Sequence, residues 1–146
     1  MDDFWTFNRQ LTQRLLYWSG FSVVAGAVMG LYGRFWQGVG SQFIGWGVVD
    51  AAIALFGGWS ARRKAELPDA HTAARQTGEA ANLEQLLWIN AGLDILYMLG
   101  GRWLMVQRGQ KDERWRGMGW GIIVQGAFLF WFDLVHALLL RRGRQG

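Results

Sequence analysis

Four long stretches almost free of charge dominate this sequence, and each has the length of a helix that crosses a bilayer. The first lies between Arg14 and Arg34, with 19 uncharged residues from Leu15 to Gly33. The second, about 38–59, carries one charge, Asp50. The third, about 83–106, has Asp94 at its middle and Arg102 near its end, and the fourth, about 117–140, is interrupted by Asp133 and His136. Roughly 20 mostly apolar residues suffice to cross the hydrocarbon of a membrane. A soluble bundle would need a polar outer face on every helix, and Leu15–Tyr32 and Gly117–Trp131 cannot supply one. The expected fold is therefore all-α, a polytopic membrane four-helix bundle forming one domain over 1–146, with a polar cytoplasmic loop at 61–82.

Composition agrees with this reading. Hydrophobic residues make up 51% and charged residues 18%, against about 25% charged in an ordinary soluble domain. Mean hydropathy is only +0.06 because the connecting segments are strongly polar. Cysteine is absent, which excludes disulfides, thiolate zinc sites, iron–sulfur clusters and cysteine nucleophiles. The net charge of +4 sits in short clusters at the ends of the uncharged stretches. That is where lysine and arginine flank spanning helices, so nucleic acid is not an expected partner. Eight of the ten tryptophans (Trp5, Trp18, Trp36, Trp59, Trp88, Trp103, Trp115 and Trp120) lie at or near span ends, an interfacial belt.

The start of the chain, Asp2 to Phe7, is acidic and aromatic and does not read as a cleaved signal peptide. Asp2 or Asp3 is placed to cap a short interfacial helix with Phe4, Phe7 and Leu11 on one face. Within 61–82, Pro68-Asp69 can open a short surface helix, and Asn82 with Gln85 resembles a capping box for the third span. Orientation follows from flanking cations. Arg9, Arg14, Arg62, Arg63, Lys64, Arg75, Arg141, Arg142 and Arg144 lie on one side, and Arg34, Arg102, Arg108, Lys111, Arg114 and Arg116 on the other. This bias puts both termini in the cytoplasm of a multi-pass inner-membrane protein.

The two halves of the chain echo each other. Leu15-Leu16-Tyr17 and Gly33-Arg34-Phe35 match Leu86-Leu87-Trp88 and Gly101-Arg102-Trp103, and Gly45-Trp46-Gly47 matches Gly119-Trp120-Gly121. The offsets are unequal, and recurrent composition explains such matches as readily as two repeated helical hairpins does. Gly26-x-x-x-Gly30 and Gly117-x-x-x-Gly121 are spaced for close helix approach.

Ionisable groups inside spans are costly and turn toward the bundle interior. Asp50, Asp94, Asp133 and His136 are of this kind, with Asn90, Tyr97 and Gln125 as polar support. Asn90, Asp94 and Tyr97 share one face of the third helix, and Gln125, Asp133 and His136 fall within about 80° on the fourth. Counted from the cytoplasmic ends, Asp50 and Asp94 come out near mid-membrane, with Asn90, Asp133 and then His136 nearer the cytoplasm. The expectation is that Asp94 bonds across helices near Asp50, Asn90, Tyr97, Gln125, Ser19 or Ser22, and that Asp133 approaches His136 or Asn90. Three uses of the cluster are open: interhelical hydrogen bonding, proton or cation binding in transport, and a divalent-metal site built on Asp133 and His136. The aromatic run Phe128, Phe130, Trp131 and Phe132 could also line a lipid or pigment pocket.

Asn90-Ala91-Gly92-Leu93-Asp94-Ile95-Leu96-Tyr97, Gln125-Gly126-Ala127-Phe128-Leu129 and Phe132-Asp133-Leu134 resemble a family of bacterial four-helix membrane proteins of unknown function. Trp46 to Ala54 resembles that family's second helix, departing from it at Gly47 and Asp50. The resemblance implies four spans and a bacterial source and carries no chemistry. The resulting expectation is a non-catalytic subunit or binding module of a membrane assembly, not an enzyme. It would have no cofactor or metal beyond bound lipid, and its partners would be membrane lipid and further copies or other membrane chains. The alternative is a proton- or cation-coupled small-solute transporter.

Overall fold

A computed structural model describes residues 3–146. Four helices account for nearly all of them: α1 (Phe4–Met29), α2 (Arg34–Ala65), α3 (Ala73–Gln107) and α4 (Glu113–Gln145). The chain is all-α, with no strand among the described residues. Each helix starts on a distinct signal. Asp3 occupies the N-cap position of α1 and Gly33 that of α2. The Thr72 hydroxyl accepts from the backbone N–H of Arg75, and the Asp112 carboxylate accepts from that of Arg114. These caps satisfy amides that a helix leaves unpaired at its start.

The helices overrun the boundaries read from hydropathy. The Ala-rich stretch expected as loop is largely helical, because alanine with glutamate and arginine is a strong helix former. Only Glu66–Thr72 connects α2 to α3. Pro68-Asp69 lies in turns and starts no helix, and Asn82 sits inside α3, which Thr72 caps instead. The expected short interfacial helix is also corrected: α1 runs unbroken from Phe4. Asp3 gives its backbone carbonyl to Thr6 and Phe7 but no side-chain cap bond, and Asp2 lies outside the described residues. Phe4 is buried against Ala80, Leu87, Ala137 and Leu140, with Phe7 and Leu11 packed alongside. Burying that aromatic face inside the bundle removes it from any interface.

Successive helices are antiparallel, so α2 and α4 run in the same direction and pack together at the centre. α1 flanks α2, α3 flanks α4, and α1 and α3 barely meet. The central contact is backbone on backbone. A Cβ at Gly117 would fall on the carbonyl of Phe35, and one at Gly38 on the carbonyl of Arg114. Toward the end holding Phe4, large side chains of α1 fill the space between the helices.

The two hairpins make matching contacts. Gly26 of α1 meets Gly40 of α2, as Gly101 of α3 meets Gly119 of α4. Gly47 lies against Ser19 and Val23, as Gly126 lies against Asp94 and Met98. Gly26 to Gly101 and Ser19 to Asp94 are both steps of 75, and Gly40 to Gly119 and Gly47 to Gly126 both steps of 79. The same shifts carry the Ser22–Gln125 contact onto the Tyr97–Trp46 contact. This register differs from the one read in the sequence, where Gly-Trp-Gly strings aligned by composition and not by contact.

By length and composition, α2 and α4 are apolar enough to cross a membrane. Two features set the others apart: α1 ends at Met29, so its helical run draws in Gln13 and Arg14, and α3 carries Glu84, Asn90, Asp94 and Arg102.

Candidate functional site

Five of the seven polar residues singled out in the sequence separate into three groups. The first is a cluster of carboxyls, Asp50 from α2, Asp94 from α3 and Asp133 from α4, exposed by 3%, 3% and 8%. Helical periodicity turns each inward, and the near-absence of side-chain volume at Gly126 lets α4 approach α3 at the level of Asp94. The carboxyls of Asp94 and Asp133 face each other at hydrogen-bonding range, with Asp50 close enough to feel their charge. Oxygen-to-oxygen contact between carboxyls is attractive only when a proton lies between them. Oδ2 of Asp50 and Oδ2 of Asp94 are buried with no donor among the described residues. A proton shared between Asp94 and Asp133 answers the need of that pair. Asp50 is left needing a proton or a cation of its own, since bare buried carboxylates are among the costliest groups to desolvate.

Gln125, fully buried, belongs to a second group and not to the carboxyls. Its Oε1 accepts from the Trp18 indole N–H at 3.0 Å and its amide donates to Ser22 Oγ at 3.2 Å, joining α4 to α1. Trp18 also stacks on Phe128, ring centroids 3.5 Å apart and planes 9° apart. The indole N–H of Trp18 and both Oε1 and Nε2 of Gln125 therefore each have a partner.

His136 forms the third group. Its Nδ1 lies 2.7 Å from the Phe132 carbonyl one turn back, and its Nε2 lies 3.0 Å from Nη1 of Arg14. The ring rests against Phe132 and Phe7. Contrary to the expectation, Asp133 turns to Asp94 and not to His136, because three residues along the helix the ring is drawn to α1. With both ring nitrogens engaged and a cation against Nε2, His136 has no lone pair for a metal. Among the described residues no group of three His, Cys, Asp or Glu is arranged to hold a metal ion.

Two expected members stand apart from all three groups. Tyr97 is 38% exposed and packs on Trp46, ring centroids 5.0 Å apart. Asn90 is half-buried, one turn from Asp94, and joins none of these contacts. By sequence Arg14 is a span flank and Trp18 a belt residue, yet they complete two of the groups. Spacing held the signal for Trp18, since Trp18 and Ser22 on α1 repeat the one-turn interval that their partner Gln125 shares with Phe128 and Leu129 on α4.

No curated protein and no solved structure matches the chain. A family model does match, over residues 14–134, which takes in all three carboxyls, Gln125 and the Arg14 flank but stops short of His136. The chain belongs to that family, a family of unknown function designated DUF6992.

Proposed function

We propose that the chain is a four-span integral membrane protein of a bacterial inner membrane, with both termini cytoplasmic, acting as a non-catalytic binding module or subunit of a membrane assembly. One observation carries this reading: every helix, not only α2 and α4, turns large apolar side chains outward, while the mid-helix acids Asp50 of α2, Asp94 of α3 and Asp133 of α4 turn inward. Phe21 on α1, Phe56 on α2, Leu96 on α3 and Trp131 on α4 are exposed by 58%, 69%, 61% and 62%. Water would penalise such a surface, and lipid or a neighbouring apolar chain would cover it. The Gln125–Trp18–Ser22 link and the Asp94–Asp133 pair fit the role of interhelical ties, each worth about 0.6–2 kcal/mol in a membrane. The matching contacts of the two hairpins fit two repeats related by an axis along the membrane normal.

A second reading, proton- or cation-coupled transport, is favoured by Oδ2 of Asp50, which is buried with no donor among the described residues even when Asp94 and Asp133 share a proton. A purely structural cluster gains nothing by leaving it unsatisfied. One experiment separates the readings. Asp94→Asn keeps shape and hydrogen-bonding capacity but removes the titratable proton. A binding module keeps its fold and the chains that co-purify with it in mild detergent, and shows no flux in proteoliposomes. A transporter dissipates an imposed pH or cation gradient, and Asp94→Asn abolishes that flux.

A further inference from the structure

At the end of the bundle that holds Asp3, the first three turns of α1 stand off the last two turns of α2 around a cavity of about 470 Å³. Its α2 wall is built from Gly58, Ala61 and Ala65, whose small side chains create the space, with Arg62 as the single long one. Its α1 wall presents Trp5, Asn8, Arg9, Thr12 and Gln13. This volume is of the size that holds small ligands, and two of the side chains around it, Arg9 and Arg62, can only donate.

The three successive cations that end α2 have different fates. Arg63 lies over the Trp59 ring, 5.0 Å from its centroid, and Lys64 pairs with Glu79 at 2.9 Å. Arg62 alone borders the cavity, and among the described residues neither it nor Arg9 pairs with a carboxylate. Thr12 Oγ1 and Asn8 Oδ1 lie 3.5 Å apart, which occupies the acceptor of Asn8 and leaves its NH₂ to donate. The indole of Trp5 is tied to the carbonyl of Ala70 at 3.0 Å, so that wall is held in place. Among the described residues Asp3 is the single acidic group on the rim, and it leans toward His71, 3.7 Å away. Two arginines that pair with no carboxylate among the described residues, beside amide donors in a cavity of this size, are the chemistry that recognises a phosphate group.

We propose that this cleft binds a phosphate-bearing anion through Arg9 and Arg62. Two sources share that chemistry, the headgroup of an anionic phospholipid and free phosphate.

The test uses the full chain in detergent micelles, titrated with phosphatidylglycerol or phosphatidylcholine and read by native mass spectrometry. A parallel thermal-shift series uses inorganic phosphate. Phosphatidylglycerol is expected to bind in preference to phosphatidylcholine, and each arginine lost should cost about fivefold, roughly 25-fold for Arg9→Gln with Arg62→Gln. Ala61→Trp fills the cleft without changing its charge and should remove binding as well, whereas Arg141→Gln, a cation elsewhere on the same end, should leave it intact. Binding of phosphatidylglycerol that inorganic phosphate does not displace assigns the site to lipid. Displacement, with a raised melting temperature in phosphate alone, assigns it to the free anion. Full retention of binding in either the double arginine variant or Ala61→Trp overturns the proposal, as does an equal loss in Arg141→Gln.

Discussion

Arg14 points its guanidinium at the Nε2 of His136 from 3.0 Å, across the interface between α1 and α4. A guanidinium can only donate a hydrogen bond, and the Phe132 carbonyl 2.7 Å from Nδ1 can only accept one. The two contacts are compatible with one form of the ring, neutral with its proton on Nδ1. In ¹⁵N-labelled protein at neutral pH, the side-chain nitrogens of His136 should therefore split into a protonated Nδ1 and a bare Nε2. Arg14→Ala should free Nε2 and let the ring exchange between tautomers. Two protonated nitrogens in the parent protein would contradict the assignment.

The backbone contact between α2 and α4 sets a sharp contrast among the glycines. At Gly117 and Gly38 an added methyl meets a backbone carbonyl that cannot move without the whole helix. Alanine at either position should cost about 1–3 kcal/mol, the range for overpacking a filled interior. At Gly45 and Gly92 nothing lies within 4 Å of the added carbon. There the helix should instead gain roughly 0.5–1 kcal/mol from replacing glycine by alanine. Reversible unfolding in SDS–detergent mixtures measures both signs, and equal effects at all four sites would refute the close contact.

Sidedness follows from placing Arg63 and Arg142 at the end of the bundle opposite Arg114. In intact cells, cysteine at position 63 or 142 should resist an impermeant thiol reagent and cysteine at position 114 should react. The natural chain contains no cysteine, so each single replacement reports without background. Labelling in the reverse pattern would put the termini outside.

Much of the architecture was legible because hydrophobic patterning is strong where four apolar stretches alternate with polar connections. The inward turn of Asp50, Asp94 and Asp133 was legible too, since helical phase and the cost of a bare charge both point that way. The pairing was not. Asp133 and His136 share a helical face, and phase alone cannot tell which neighbouring helix each will meet. That is decided by Gly126, which brings Asp133 to α3, and by Arg14, which draws His136 to α1. Hydropathy likewise hid the first ten residues of α3, because Arg75, Gln76, Glu79 and Asn82 lower apolarity while the four alanines among them favour helix. The matching contacts of the hairpins escaped detection for a related reason: they depend on glycine positions facing a partner, while the eye aligns strings of like residues.

Asp112 links two functions at the turn between α3 and α4. It caps α4 through the N–H of Arg114 at 2.9 Å, and it takes a two-point contact from Arg34 at 3.2 and 2.6 Å. The Arg34 guanidinium, with help from that backbone N–H, holds the Asp112 carboxyl below its ordinary value of 3.8. A carboxyl depressed in the folded protein adds stability at every pH above its unfolded value, and the contribution fades as pH falls through the folded one. Arg34 is itself held above its ordinary value by its hydrogen bond to Asp112, so no alkaline loss follows at any ordinary pH. Asp112→Asn retains a good cap but removes the charge. The parent should therefore exceed the variant in stability by a constant margin from pH 5 to 8, in SDS unfolding at low salt. That margin should shrink to nothing as the pH drops below 3.8 toward the depressed value, leaving the two curves superimposed. Because both side chains reach solvent, 63% and 29% exposed, the margin should also fall in molar salt, where the screening length is about 3 Å. The absence of any margin between pH 5 and 8 would mean that Asp112 acts as a helix cap alone, and that the link between α2 and α4 at this end rests on Gly38 and Gly117.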